Sequence, residues 1–401
     1  MFDFGFHFFG NSSGGVAPPP STDFIIKVKT DNAGTSNDDQ FTLPTTGDGY
    51  DFTATWDNGD TTTHTGTPGN ITFTRPTVGE HTLTISGTFP RIFFNNGGDK
   101  SKLIETVNFG DVGWTSMERA FNGCNNNAIN PDCTGNFDLV TSAFIAWRDN
   151  TSNNFFPQID FPICTDFAGT WRNNNLPSFP SINMSSATRL HSGGSTGCWE
   201  NNSIVTFGAI DFPNCNDFTR AWSGNNIEVV PNMNIGLSTS NVNLTSAWEG
   251  NNINEFNITD LSTVKDATRF LFGNNLVNIG NLDLSNATNL VRAFSDNNLE
   301  NVGVINLASC LDVGGAFGNN GIITSFATRN FFNMTSGTNC FRNTTLPTSD
   351  WSDIMVTQRA NNSGTGISFH GGNSKYNPAG GVAREELVTI QEWSIIDGGA
   401  E

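Results

Sequence analysis

The residues able to do chemistry in this chain of 401 residues are few and scattered. Gly193-Gly194-Ser195-Thr196-Gly197 has the G-x-S-x-G spacing of a nucleophile elbow, a device that needs a strand before the serine and a helix after it. No such context is read here, because the segment falls in the longest of a series of repeats, so the expectation is a loop insertion. The five histidines, His7, His64, His81, His191 and His370, share no metal-ligand spacing. The carboxylates form no acid–base pair, and neither a calcium loop nor a glycine-rich phosphate loop is present. The expectation is a protein that is not an enzyme, with no cofactor and no bound metal.

Seven cysteines, Cys124, Cys133, Cys164, Cys198, Cys215, Cys310 and Cys340, include no C-x-x-C pair. Cys164, Cys215 and Cys310 each lie seven residues before an aromatic (Trp171, Trp222, Phe317), and Cys198 and Cys340 lie one before (Trp199, Phe341). Recurring phases of this kind are those of small core residues. In stacked coils Cys164 and Cys215 would stand two strand spacings, about 10 Å, apart, beyond bridging distance. Free, buried thiols are expected.

The balance of 19 basic to 38 acidic residues leaves a net charge of −19, which repels nucleic acid and anionic lipid. No apolar run is long enough to span a membrane. Charged residues make up only 14% of the chain, and Asn takes their place, 55 residues or about one in seven. That composition implies many turns and many side-chain hydrogen bonds.

What must position these groups is read in four parts: 1–22, 23–115, 116–346 and 347–401. Phe2, Phe4, Phe6 and Phe8 alternate with Asp3, Gly5 and His7 as in a strand with one buried face. A Gly/Ser tether at 11–15 and the stiff Pro18-Pro19-Pro20 follow. Either these phenylalanines form a docking peptide that adds a strand to another protein, or the segment is a tail or a strand folded back on its own domain. The start of the chain carries no basic, apolar and small-residue series of a secretory signal.

Between 23 and 115, Phe24–Lys29, Tyr50–Trp56 and His81–Ile85 read as short strands separated by turn chemistry, the pattern of a small β-sandwich. From about 116 to 346 the chain repeats. Asn pairs beginning at 201, 225, 251, 274, 297 and 319 are spaced by 24, 26, 23, 23 and 22 residues. Aromatics at Phe121, Trp147, Trp171, Trp199, Trp222, Trp248, Phe272, Phe294, Phe317 and Phe341 mark ten units. After each Asn pair comes an aliphatic residue and, three on, another apolar one, as in Ile227/Val230 and Leu276/Ile279. No unit of this length buries its own apolar face, so the coils must stack into a solenoid. Asn at a fixed place in each coil can donate to and accept from the backbone of the next.

Two resemblances attach to these residues. Trp56-Asp57-Asn58-Gly59-Asp60 followed by Gly79-Glu80-His81-Thr82-Leu83 resembles the immunoglobulin-like domain of the polycystic-kidney-disease type, although His81 and Leu83 replace an aromatic and a Val. The repeats are similar to those of BspA-like leucine-rich-repeat surface proteins. The ending Gly372-Asn373-Ser374-Lys375-Tyr376, a helix around Ala383–Val388, then Trp393-Ser394-Ile395-Ile396-Asp397-Gly398-Gly399 is similar to the terminal cap of that family.

The resemblances imply a β-rich fold, with an immunoglobulin-like spacer, a leucine-rich-repeat-like solenoid of about ten coils and a cap. The function expected is that of a virion-associated bacteriophage fibre or adhesin, folded in the host cytoplasm and displayed on the virion surface. It would dock to other virion structural proteins through Phe2, Phe4, Phe6 and Phe8 and meet a host-surface glycan or protein with its solenoid, and a homotrimer is an assembly open to such a fibre. The alternative is a bacterial cell-surface adhesin, and a glycan-cleaving enzyme would need a carboxylate pair that is missing.

Overall fold

The computed structural model describes residues 21–194 and 196–401; Phe2, Phe4, Phe6, Phe8, His7 and Ser195 lie outside the described residues. Seven strands open the fold: β1 (Phe24–Lys29), β2 (Gln40–Leu43), β3 (Tyr50–Trp56), β4 (Thr61–Gly66), β5 (Ile71–Thr74), β6 (Glu80–Thr88) and β7 (Leu103–Asn108). β1 and β3 have the bounds expected from sequence. The others carry weaker signals, and β4, Thr-Thr-Thr-His-Thr-Gly, is a nearly fully exposed edge without apolar alternation. The order in the larger sheet is β4-β3-β6-β1-β7, and β2 pairs with β5 in a second sheet. Phe41 of β2 and Phe73 of β5 pack their rings on Trp56 of β3, which joins the two sheets through one apolar layer.

β7 belongs to both parts of the molecule. It pairs antiparallel with β1 on one side and parallel with β8 (Ala128–Ile129) on the other, so the last strand of the sheet unit starts the solenoid. From there every pairing along the stack is parallel, one coil on the next, through Ser142–Asp166–Arg189, Asp266–Asn289–Asp312–Ser336 and onward to Tyr376–Ala400. The solenoid has about thirteen turns, against the ten counted from the aromatics. The extra ones arise because the ladder begins before Ser116 and continues past Leu346, where α1 (Thr348–Asn361) and α2 (Pro378–Ile390) interrupt coils that otherwise pair as before. α2 starts with Asn377 accepting from the Gly380 amide and Pro378 at its first position. The sequence reading did not include α1, whose buried stripe of Trp351, Ser352, Ile354, Met355 and Gln358 mixes polar with apolar residues.

Each coil turns about one buried side chain. Trp147, Trp171, Trp199, Trp222 and Trp248 stack face to face at ring separations of 5.9, 5.5, 5.6 and 4.5 Å, with planes within 8° of parallel. Phe294, Phe317 and Phe341 continue the column at 5.4 and 5.5 Å. Phe272 does not belong to it. Leu271 fills the core position and Phe272 turns outward, half-buried. The sequence offered two adjacent apolar residues, and the bulkier one is the wrong choice.

Three residues past the column lies a buried Asn. The Asn225 amide donates to the carbonyls of Trp199 (2.9 Å) and Trp222 (3.0 Å) and accepts from the Ile204 amide (3.2 Å), thereby binding two coils together. Asn251, Asn274, Asn297 and Asn320 repeat this pattern. Thr344 closes the series with its hydroxyl, which donates to Phe317 O (2.8 Å). The buried ladder selects Asn202, Asn225, Asn251, Asn274, Asn297 and Asn320, spaced 23, 26, 23, 23 and 23. It uses the second Asn of two pairs and the first of four, which is why counting from the first of each pair gave an irregular period.

Candidate functional site

The corner around the core column is the part of each coil that presents side chains outward in register. Two residues after the column residue, and in most coils two before it, the backbone is left-handed: Arg119, Arg220, Arg269 and Arg292 before, Asp149, Asn173, Asn201, Asp296, Asn319 and Asn343 after, these with φ between 54° and 58°. Asn and Asp tolerate this region, whereas Arg does so at a cost of about 1 kcal/mol or more. Four arginines in one strained column therefore put guanidinium groups where the local backbone would favour Gly.

At 200–272 those guanidiniums have partners at a fixed interval. Glu200, buried, receives Arg220 Nε at 2.8 Å from the following coil and Arg172 Nε at 2.9 Å from the preceding one. Glu249 receives Arg269 at 2.5 and 2.9 Å. Burial pushes the Glu249 carboxyl up, but the hydrogen bonds from Arg269 and Ser246 together with the charges of Arg269 and Arg220 outweigh it and hold it below its ordinary value. In both cases the glutamate lies 20 residues before the arginine. Twenty residues before Arg292 stands Phe272, with the Arg269 guanidinium stacked over its ring at 3.9 Å.

Beyond that point the corner hollows out. Phe272, Arg292, Ser295, Asp296, Asp312, Gly314, Gly315, Gly318, Asn319, Thr338, Asn339 and Arg342 are among the residues around a recess of about 390 Å³. Its floor is glycine where neighbouring coils carry side chains: Gly315 occupies the place of Arg292, and Gly318 that of Ser295 and Arg342. Both oxygens of Asp296 and one oxygen of Asp312 are engaged. Asp296 accepts from the Ser295 hydroxyl (2.7 Å) and the Asn319 amide (2.9 Å), and Asp312 from the Gly314 amide (2.8 Å). Arg292 and Arg342 are exposed, and among the described residues neither makes an ion pair or a side-chain hydrogen bond.

The residues singled out from sequence fall elsewhere. His191, next to the G-x-S-x-G segment, pairs with Asp217 at 3.3 Å and lies 3.2 Å from the Gly194 carbonyl. The Asp217 hydrogen bond raises the His191 pKa; for Asp217, burial acts upward but the His191 and Thr219 bonds prevail and hold it at about 2. The pair ties His191 to the next coil. All seven cysteines are buried and unbridged, as their phases implied, and burial pushes the thiols of Cys133, Cys164, Cys215 and Cys310 up to about 12. Sequence reasoning missed the recess, although the signal was present: an arginine 20 residues after a phenylalanine where its two predecessors follow glutamates. Neither a protein-family model, nor a curated protein, nor a solved structure matches this chain.

Proposed function

We propose that the chain is a structural, virion-associated fibre or adhesin of a bacteriophage, docked through residues 1–22 and presenting its solenoid to a host-surface glycan or protein. In this reading residues 23–115 are an immunoglobulin-like β-sandwich spacer and the coils are of the leucine-rich-repeat, BspA-like kind. The observation that carries it is the rod itself. About thirteen stacked turns, on the order of 60 Å at the strand spacing, spend nearly all their aromatics on a continuous core and leave corners of Asn, Ser, Thr and Arg in register outside. Such a surface suits recognition of hydroxyl-rich or charged groups on another surface more than enclosure of a small substrate. Seven buried, unbridged thiols are consistent with folding in a reducing compartment, as virion components do.

The ending from Gly372 to Gly399 favours a second reading, an adhesin on a bacterial cell surface. The two separate on one experiment. Deleting residues 1–20 should leave a folded protein, judged by its unfolding transition, that no longer joins particles assembled in its presence. Normal incorporation of the truncated chain would remove the docking role, and absence of the full-length chain from purified particles would remove the fibre reading altogether.

A further inference from the structure

We propose that the recess between Phe272 and Arg342 binds one residue of an acidic saccharide, with Arg292 and Arg342 holding its carboxylate or sulfate. This rests on the reading of the solenoid as a surface that meets glycans, and adds to it a site and a ligand class.

The argument starts from unused hydrogen-bonding capacity. Guanidinium groups carry five N–H donors each and no acceptor. Arg220 and Arg269 have theirs taken up by a glutamate one coil back, whereas Arg292 has Phe272 at that place. Arg342 likewise has no carboxylate partner among the described residues. Both oxygens of Asp296 are committed to Ser295 and Asn319 and one of Asp312 to Gly314, which leaves a single carboxylate oxygen against two free guanidinium groups. What remains is donor-rich, so the recess selects an anion over a cation, in a molecule whose overall charge of −19 would otherwise repel one.

Shape narrows the class. Arg292 and Arg342 flank the glycine-floored coil, about two strand spacings or roughly 10 Å apart along the stack. A Cβ on Gly315 would stand 3.2 Å from Arg292 Cγ, so a side chain there would crowd the arginine as well as fill the floor. The half-buried Phe272 ring, covered on one face by Arg269, lines the recess with its remaining surface as an apolar wall for the C–H groups of a sugar, while Asn339 and Thr338 offer amide and hydroxyl groups at the rim. One pyranose ring bearing an anionic group uses every element of this set; a bare inorganic anion leaves the ring unused, and a neutral sugar leaves both arginines unused.

The test uses the full chain in titration calorimetry against tetragalacturonic acid, a sulfated galactan tetrasaccharide and neutral maltotetraose. The expected result is binding of one or both acidic tetramers, none of the neutral one, and at least a tenfold loss of affinity in Arg292→Gln and in Arg342→Gln. Arg119→Gln, on the same column but away from the recess, should change affinity less than twofold. Because Arg292 and Arg342 are exposed, unfolding midpoints of these variants should match the parent. Equal binding of the neutral tetramer, equal loss in Arg119→Gln, or no binding of either acidic tetramer would overturn the proposal. Particle incorporation is scored separately. Arginine-dependent binding by a chain absent from particles leaves the site and defeats the fibre reading, and the reverse result leaves the fibre and defeats the site.

Discussion

In the N-terminal sheets one carboxylate and one ammonium hold an entire corner. Asp99, 1% exposed, accepts from the amides of Thr35, Ser36 and Thr42 and from the Ser36 hydroxyl. Lys102, fully buried beside it, donates to the carbonyls of Ser36, Asn37 and Gln40. In the solenoid a buried charge of this kind, Glu200, sits in the outer corner, and the coils are tied together by another device. Each coil carries one uncharged amide that bonds to its own carbonyl and its neighbour's, and the same arrangement recurs from Asn225 to Asn320. A charge can satisfy several groups at once but must remain ionised inside protein; a ladder of neutral amides spreads the task over units that each depend only on their neighbours.

The largest effect that tests this contrast is Asp99→Ala. It strands three backbone amides and removes the carboxylate that fixes the Ser36 turn, whose carbonyl and hydroxyl also hold buried Lys102, so a loss of about 4 kcal/mol is expected in denaturant unfolding. A loss near 1 kcal/mol would mean that the corner is not organised by the hub. Asn251→Ala removes bonds to Trp222 O and Ile227 N of the preceding coil and to Trp248 O of its own, and should cost about 2 kcal/mol. The ladder further requires that Asn225→Ala and Asn320→Ala, several coils apart, add in the double variant, whereas Asn251→Ala and Asn274→Ala on adjacent coils do not. Additivity at adjacent coils would show that the ladder is not a coupled chain of bonds.

Smaller still is Trp222→Phe. The indole N–H groups of Trp147, Trp171, Trp199 and Trp222 find no polar partner, and phenylalanine already serves at 294, 317 and 341, so the change should cost about 1 kcal/mol or less. Trp222→Ala, which opens a cavity, provides the contrast at about 4 kcal/mol.

The smallest effect is in pH. Asp99 and Asp217 have carboxyls held below their ordinary values, so the stability each adds is present above about pH 3.8 and is lost as pH falls through the lowered value. His191 is raised, so its contribution is complete below about pH 6.5 and is lost as pH rises through the raised value. His64 and His370, lowered by burial, act in the opposite sense, so the check is the difference: between pH 5 and 8 the denaturation midpoint of the parent should fall relative to that of His191→Asn. An identical pH dependence in both would exclude the His191–Asp217 pair as a source.

The parts legible from sequence were those whose signal repeats or alternates. β1 and β3 alternate buried and partly exposed residues and were read to the residue, and the stacking of coils followed from a period too short to bury its own apolar face. The reading failed where one position offered two candidates. Leu271 and Phe272 are both apolar, and only the backbone turn decides which enters the core. The Asn pairs hide whether the first or second residue is the buried one. The recess was missed for a different reason: it is made by glycines and by a missing carboxylate, and the 20-residue interval that marks it stands out only once the register of the coils is known.

The indole column has an optical consequence. Five near-parallel chromophores held 4.5 to 5.9 Å apart are close enough for their electronic transitions to couple, so the near-ultraviolet circular dichroism of the native rod should exceed that of five isolated tryptophans. Since the row spans only Trp147 to Trp248, its signal reports on those coils alone, and its loss ahead of global unfolding would reveal a rod that opens from within.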